Sequence, residues 1–328
     1  MRFVSRRRRR PLFAITAAAI AASMLSACGD SQSPPGEGTV ITTTTKIGPA
    51  NLVAPERNFD RACGAPSVAD PGRPDVDRIA VTDPALLDPI CALGIAPRVV
   101  AVAAATGSIA RNLGRAVTSL PTIGVSPTPA AARAARAQVV LGYDAARTAV
   151  FGGRSVIIDR RARWQDQFQA VADALGRGDE GKKRLATFAE LARTTGLRID
   201  AAHSQVGLVR FGENDETIEG TGSFAGSILA AVGVQRPASQ RQPGPVAVTE
   251  GNFTDADADL IYVSFRSAAA QKHGVSVMKS DRWRDMGAPS WNRVLVVDDD
   301  IWYGTGGLAA AAVVLGDIGT SLNSFSTS

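Results

Sequence analysis

Three arginines close apolar runs and stand beside rings or hydroxyls. Arg160 ends "SVIIDR", Arg210 ends "QVGLVR" just before Phe211, and Arg266 follows "ADLIYVSF". A guanidinium offers a planar fork of donors that matches paired oxygens, and its flat face stacks on aromatic rings. Thr82, Tyr143 and Ser223 hold comparable positions at the ends of apolar runs or ahead of a helix, and Trp302 and Tyr303 lie just beyond the last apolar run. Arg160, Arg210, Arg266, Tyr143, Thr82, Trp302, Tyr303, Phe211 and Ser223 are therefore the candidate ligand-binding residues. The chemistry they suit is capture of an oxygen-rich, anionic ligand against an aromatic wall. Arg210 is the strongest candidate, because it ends a strongly apolar strand and is followed by Phe211 and Gly212.

Other chemistries lack their parts. A zinc or manganese centre needs several His and carboxylate ligands, and the chain has only His203 and His273. "DADAD" (Asp255 to Asp259) begins like a calcium loop, but its sixth position is Leu260 rather than Gly and its twelfth is Arg266 rather than Glu. "SVMK" (Ser276 to Lys279) matches the S-x-x-K of penicillin-recognising enzymes without the companion S-D-N and K-T-G elements. "EGTGSFAG" brings free amides to a helix start near Phe224, suited to an oxyanion, although Ser223 also reads as an ordinary N-cap. No catalytic role, intrinsic cofactor or metal site is expected.

These residues need a frame. From Arg78 onward, short apolar runs alternate with helical patterns. "RIAVTD", "RVVAVAAAT", "VVLGYD" and "SVIIDR" read as strands, with "PALLDPICALG", "AAARAARAQ" and "WQDQFQAVADALG" as helices. Such alternation implies crossovers and mainly parallel sheets. "DEGKKRLATFAELARTTGLRIDAAH" reads as one long amphipathic helix, with Leu185, Phe188, Leu191 and Ala192 on one face. The alternation then resumes through "QVGLVRF", "SFAGSILAAVG", "ADLIYVSF", "RVLVVDD" and "GGLAAAAVVLGDIGTSL". The spacing predicts an α/β protein of two lobes, 76–176 and 204–328, joined by a linking helix at 177–203. Ligands of open α/β sheets sit outside the carboxyl ends of the strands, which places the arginines at an interlobe cleft.

The N-terminus sets the compartment. Arg6 to Arg10 precede the apolar stretch Leu12 to Met24, and Leu25-Ser26-Ala27-Cys28 follows. A basic block, a short apolar run and small residues describe a secretory signal over 1–27 rather than a spanning helix. The tetrapeptide resembles the bacterial lipobox, which implies lipidation of Cys28 and an anchor on the outer face of the cell membrane. Residues 28–75, rich in Pro, Gly and Thr, read as a flexible tether or wrapped extension. The chain has 36 basic and 31 acidic residues, and loss of the six arginines of 1–27 leaves 30 basic residues, about neutral. No basic stripe suggests nucleic acid. Outside the cytoplasm thiols tend to oxidise, so Cys63 and Cys91 are expected to form a disulfide; two buried free thiols are the alternative.

The segments "RIAVTDPALLDPICALGIAPRVVAVA", "RWQDQFQAVADALGR", "GSFAGSILAAVGVQRPASQR", "DADADLIYVSF" and "SDRWRDMGAPSWNRVLVVDDDIWYGTGG" cover nearly all of 78–310. In order and spacing they resemble the helical-backbone binding lipoproteins that serve ABC importers of iron-siderophores, haem and cobalamin, above all the iron(III)-dicitrate and siderophore type. The resemblance implies the class III periplasmic-binding-protein fold: two doubly wound α/β lobes joined by one long helix. It implies a monomer that captures a ferric siderophore and hands it to an ABC permease. Glu250 is the candidate permease contact on the second lobe, with no clear counterpart on the first. Haem is the alternative ligand, with Tyr143 or Tyr303 supplying an axial oxygen. An envelope scaffold with a degenerate cleft is the alternative from another class.

Overall fold

The computed structural model describes residues 45–304 and 306–323; the signal peptide and Cys28 fall outside them. The described chain opens with two short strands, β1 (Lys46–Ile47) and β2 (Ala50–Leu52), turned antiparallel at Gly48 and Pro49. The described part of the 28–75 stretch is thus folded rather than loose. The Val53 amide donates to Val296 O at 2.9 Å, Cys63 is bridged to Cys91 by the expected disulfide, Ser67 Oγ donates to Leu93 O at 2.7 Å, and the Asp70 amide donates to Gly176 O at 2.8 Å. Asp75 then pairs with Arg98 and with the wholly buried Arg177. The extension starts in one sheet and is fastened to the helices beside the other.

The strands that follow are β3 (Ile79–Val81), β4 (Val99–Val102), β5 (Val139–Gly142), β6 (Arg154–Ile157), β7 (Val206–Phe211), β8 (Glu216–Ile218), β9 (Val246–Ala247), β10 (Leu260–Phe265) and β11 (Val294–Val296). The smaller sheet has the order β4-β3-β5-β6 and is parallel throughout. The larger has the order β1-β2-β11-β10-β7-β8-β9, with a parallel centre at β2-β11-β10-β7 and antiparallel margins. β3 and β5 are buried at every residue, as is β10 up to Phe265. Parallel strands covered on both faces read as continuous apolar runs, which is why these were legible.

The α-helices are α1 (Leu87–Ala92), α2 (Arg115–Thr118), α3 (Pro129–Ala134), α4 (Ala145–Ala149), α5 (Trp164–Ala174), α6 (Gly178–Arg198), α7 (Phe224–Val232), α8 (Ala268–Met278), α9 (Asp281–Arg284), α10 (Gly287–Ser290) and α11 (Leu308–Ser321). The long helix α6 ends at Arg198 rather than 203, where Asp200 turns left-handed at φ 52°. Its buried face is Gly181, Phe188, Ala192, Thr195 and Gly196; Leu191 is 53 % exposed and lies off it. Gly196 lets α6 meet the end of α7: a Cβ there would sit 1.8 Å from Val232 O.

Alternation along the strands sorts side chains between two cores. On β7, Val206 and Leu208 join one apolar cluster, while Val209 and Phe211 join another. On β10, Leu260 and Tyr262 go with the first, Ile261 and Val263 with the second. The first cluster also holds Ile79, Leu86, Phe168, Phe188, Leu229 and Leu315, so one core runs through both sheets' helices. Within it, Asp88 on α1 accepts the amides of Ala309 and Ala310 at the start of α11.

Candidate functional site

Each sheet ends, at its carboxyl edge, in an arginine laid over a tyrosine. In the smaller sheet, Tyr143 follows β5 and the Arg160 guanidinium lies 4.0 Å from its ring centroid. Arg160 also hydrogen-bonds Asp83, the residue two past β3, whose other oxygen caps the next turn at the Ala85 amide. Tyr143 Oη donates to Gln167 Oε1 at 3.3 Å. Burial, reinforced by the nearby Asp83 charge, pushes its phenol up to about 12.

In the larger sheet, Arg210 is the penultimate residue of β7 and its guanidinium lies 4.7 Å from the Tyr303 ring centroid. Asp299, beyond β11, receives Arg210 through two bonds of 2.7 Å and also accepts Ser264 Oγ at 2.8 Å. Arg266, following β10, lies 3.6 Å from Asp215 and 3.9 Å from Glu219, and Glu219 is also 3.9 Å from Arg210. Burial raises the Glu219 carboxyl, and the two arginines oppose that rise. Behind it, burial lowers the Arg236 guanidinium to about 10. Arg236 Nη2 donates to Glu219 O and Gln240 Oε1, while Nε and Nη1 find no partner among the described residues. Burial also lifts the Tyr303 phenol far above its usual value.

The two edges are linked. Arg111, beyond β4, pairs with Asp298, beyond β11. Trp164, the first residue of α5, donates from Nε1 to Ser227 Oγ on α7 at 3.1 Å, with Phe188 and Phe224 edge-on to its ring. Tyr143 and Tyr303 both pack against the core shared by the lobes. A cavity of about 550 Å³ opens beside Asp298 and Asp299, walled by Arg266 and Arg111 and, from the extension, by Val53 and Phe59. A larger cavity of about 1460 Å³ lies at the opposite, amino ends of the large-sheet strands, beside Gln205, Asp259 and Arg293.

Arg160, Arg210, Arg266, Tyr143 and Tyr303 therefore stand at strand carboxyl ends, two of the arginines stacked on the two tyrosines. Three expected cleft residues do not line a cleft. Phe211 is 0 % exposed, because it alternates with Arg210 to the other face of β7, where it stacks on Phe265 at 5.6 Å. Trp302 is likewise 0 % exposed, tilted on Tyr262 and donating to Asp317. Thr82 is buried at the end of β3. Ser223 caps α7 by accepting the Gly226 amide at 3.1 Å. Glu250 is 85 % exposed and lies 3.1 Å from Arg282, which also holds Glu216. Glu219, the pairing of Asp83 with Arg160, Asp299 and the Arg111–Asp298 link were not anticipated. The three aspartates after "VLVV", Asp298 to Asp300, were the available signal for the last two. Among the described residues no group of three or more His, Cys, Asp or Glu is arranged to hold a metal ion.

Oriented guanidinium faces and rings thus stand at the carboxyl ends of both sheets, an arrangement suited to holding a ligand. No family model matches the chain. Over 170 residues it is 29 % identical to the probable siderophore-binding lipoprotein YfiY of Bacillus subtilis, 48 % of this chain and 52 % of that one. Over 103 residues it is 34 % identical to the achromobactin-binding periplasmic protein of Dickeya dadantii, 30 % of this chain and 33 % of that one. The chain thus aligns with about half the length, or less, of the curated relatives it matches. Among solved structures, a FhuD fold-family periplasmic binding protein of a ferrichrome ABC transporter from Bacillus subtilis matches with TM-score 0.63 and 18 % identity, over 78 % of this chain and 99 % of that one. The fold is therefore the FhuD-type α/β binding-protein fold that the resemblance implied.

Proposed function

We propose that the protein captures a ferric siderophore between the carboxyl edges of its two sheets and presents it to an ABC importer. The observation that carries this reading is the matched pair of arginine-over-tyrosine stacks, Arg160 on Tyr143 and Arg210 on Tyr303, one from each sheet. Stacked guanidiniums give a bulky chelate flat, donor-bearing walls on two sides. The partial relatives are a probable siderophore-binding lipoprotein and an achromobactin-binding protein, and the structural neighbour serves a ferrichrome transporter. Capture on the outer face of the membrane through a lipid on Cys28 accords with those relatives. Among the described residues no helix is long and apolar enough to cross a membrane. Glu250, on an exposed loop of the second lobe, is the proposed permease contact.

Haem is less well served. An axial tyrosinate must lose its proton, and burial opposes that at both Tyr143 and Tyr303. Native mass spectrometry of the protein from its own host tests the proposal. A one-to-one adduct carrying iron without porphyrin is expected. A haem adduct, or envelope proteins with no small ligand, would reject it.

A further inference from the structure

Resting on the siderophore reading above, we infer that the cleft favours ferric chelates of zero or positive net charge, the trihydroxamate type, over polyanionic carboxylate or catecholate chelates, because each of its arginines already faces a carboxylate.

The pairing holds on both lobes. Arg160 is engaged by Asp83, and Arg111 by Asp298. Arg210 spends its fork on both oxygens of Asp299. Arg266 stands between Asp215 and Glu219. The sequence alone, showing arginines at strand ends, reads as a cationic rim; the folded chain is charge-balanced there.

A ligand carboxylate approaching Arg210 must also approach Asp299, and one approaching Arg266 must approach Asp215 and Glu219. Repulsion from these carboxylates offsets the attraction of the guanidiniums they face, so a ligand anion recovers little of its lost hydration, and each added negative charge is expected to cost on the order of tenfold in affinity. The hydroxamate oxygens of a ferric trihydroxamate belong to a complex of zero net charge, which incurs no such cost. They accept the N–H groups the carboxylates leave free and lie against the outer faces of the guanidiniums. A pendant ammonium gains from Glu219 and Asp215. This is exclusion by like charge, a common source of specificity.

Isothermal titration of the full-length protein against ferrioxamine B (cationic), ferrichrome (neutral), ferric dicitrate and ferric enterobactin (both anionic) tests the inference. At least one of the first two is expected to bind about tenfold or more tighter than either anion. Tighter binding of an anionic chelate would overturn the inference while leaving siderophore capture standing. Failure of all four to bind would remove both. Two variants separate electrostatics from shape. Asp299→Asn frees Arg210, and the more exposed Asp215→Asn frees Arg266 with less risk to folding. Either is expected to raise affinity for ferric dicitrate by about tenfold, with the gain reduced in 0.5 M salt. Folded variants with unchanged ferric dicitrate affinity would overturn the charge argument.

Discussion

The carboxylate of Asp88 accepts the amide of Ala309 at 2.8 Å, joining a helix of the first lobe to the start of the last helix in the chain. Its second oxygen takes the Ala310 amide at 2.9 Å, and the residue is fully buried. The first amides of a helix have no partner within it, so a single side chain from one lobe completes an element of the other. Asp88→Ala is expected to cost about 2–4 kcal/mol, the sum of a lost cap and buried amides left bare. Asp88→Asn, which keeps an acceptor, should cost less. Urea unfolding measures both; an Ala variant as stable as the parent would refute the role.

A second prediction concerns acid. Burial pushes the Asp317 carboxyl from 3.8 to about 6, against the pull of Arg57 and of the Trp302 indole N–H. The folded state then holds a proton that the unfolded state releases. This group's contribution to stability is therefore fully present below pH 3.8 and is lost as pH rises through 6, by about 3 kcal/mol at most. Against Asp317→Asn, the parent protein should lose stability between pH 4 and pH 7. Melting temperatures that run parallel across that range would contradict it.

Gly196 gives a test of how α6 serves as the rod. A Cβ at this position collides with a backbone carbonyl at 1.8 Å, which no rotamer change relieves. Gly196→Ala is expected to destabilise by about 1–3 kcal/mol through displacement of α7. Gly316→Ala on α11, where a Cβ meets nothing within 4 Å, is the control and should be neutral or slightly stabilising.

The Cys63–Cys91 bridge spans 28 residues of sequence. Closing such a loop stabilises by about 3.5 kcal/mol on the chain-entropy account. Reduction, or the Cys63→Ser/Cys91→Ser double variant, should lower the unfolding midpoint accordingly. An unchanged midpoint under reductant, with thiols shown free by mass spectrometry, would count against it.

The central strands were legible because β3, β5, β7, β10 and β11 are rich in apolar residues and buried along most of their length. β1, β2, β8 and β9 were not: they are two or three residues long, too short for an apolar run or an alternation to show. The same limit governs the site. Arg210 and Tyr143 could be found because strand ends are local features. Asp299 on Arg210 and Asp83 on Arg160 could not, since each pairing joins residues 89 and 77 positions apart. Phe211 was misplaced by a single step of the strand's two-residue alternation, which sends it to the opposite core. Leu191 was placed on the buried face by its apolar side chain, whereas Thr195 and Gly196 are among the residues α6 buries there.

The extension that begins as an edge strand beside β11 and ends bridged to α1 has a bearing on signalling. α6 is a second link between the halves and the Asp88 hydrogen bond a third. Under the proposed siderophore capture, a receptor tied in this way is expected to change little in outline when it takes up its cargo. The difference between laden and empty must then be written on the lip itself, in which guanidinium and carboxylate groups the cargo covers and which it leaves for a docking partner to touch.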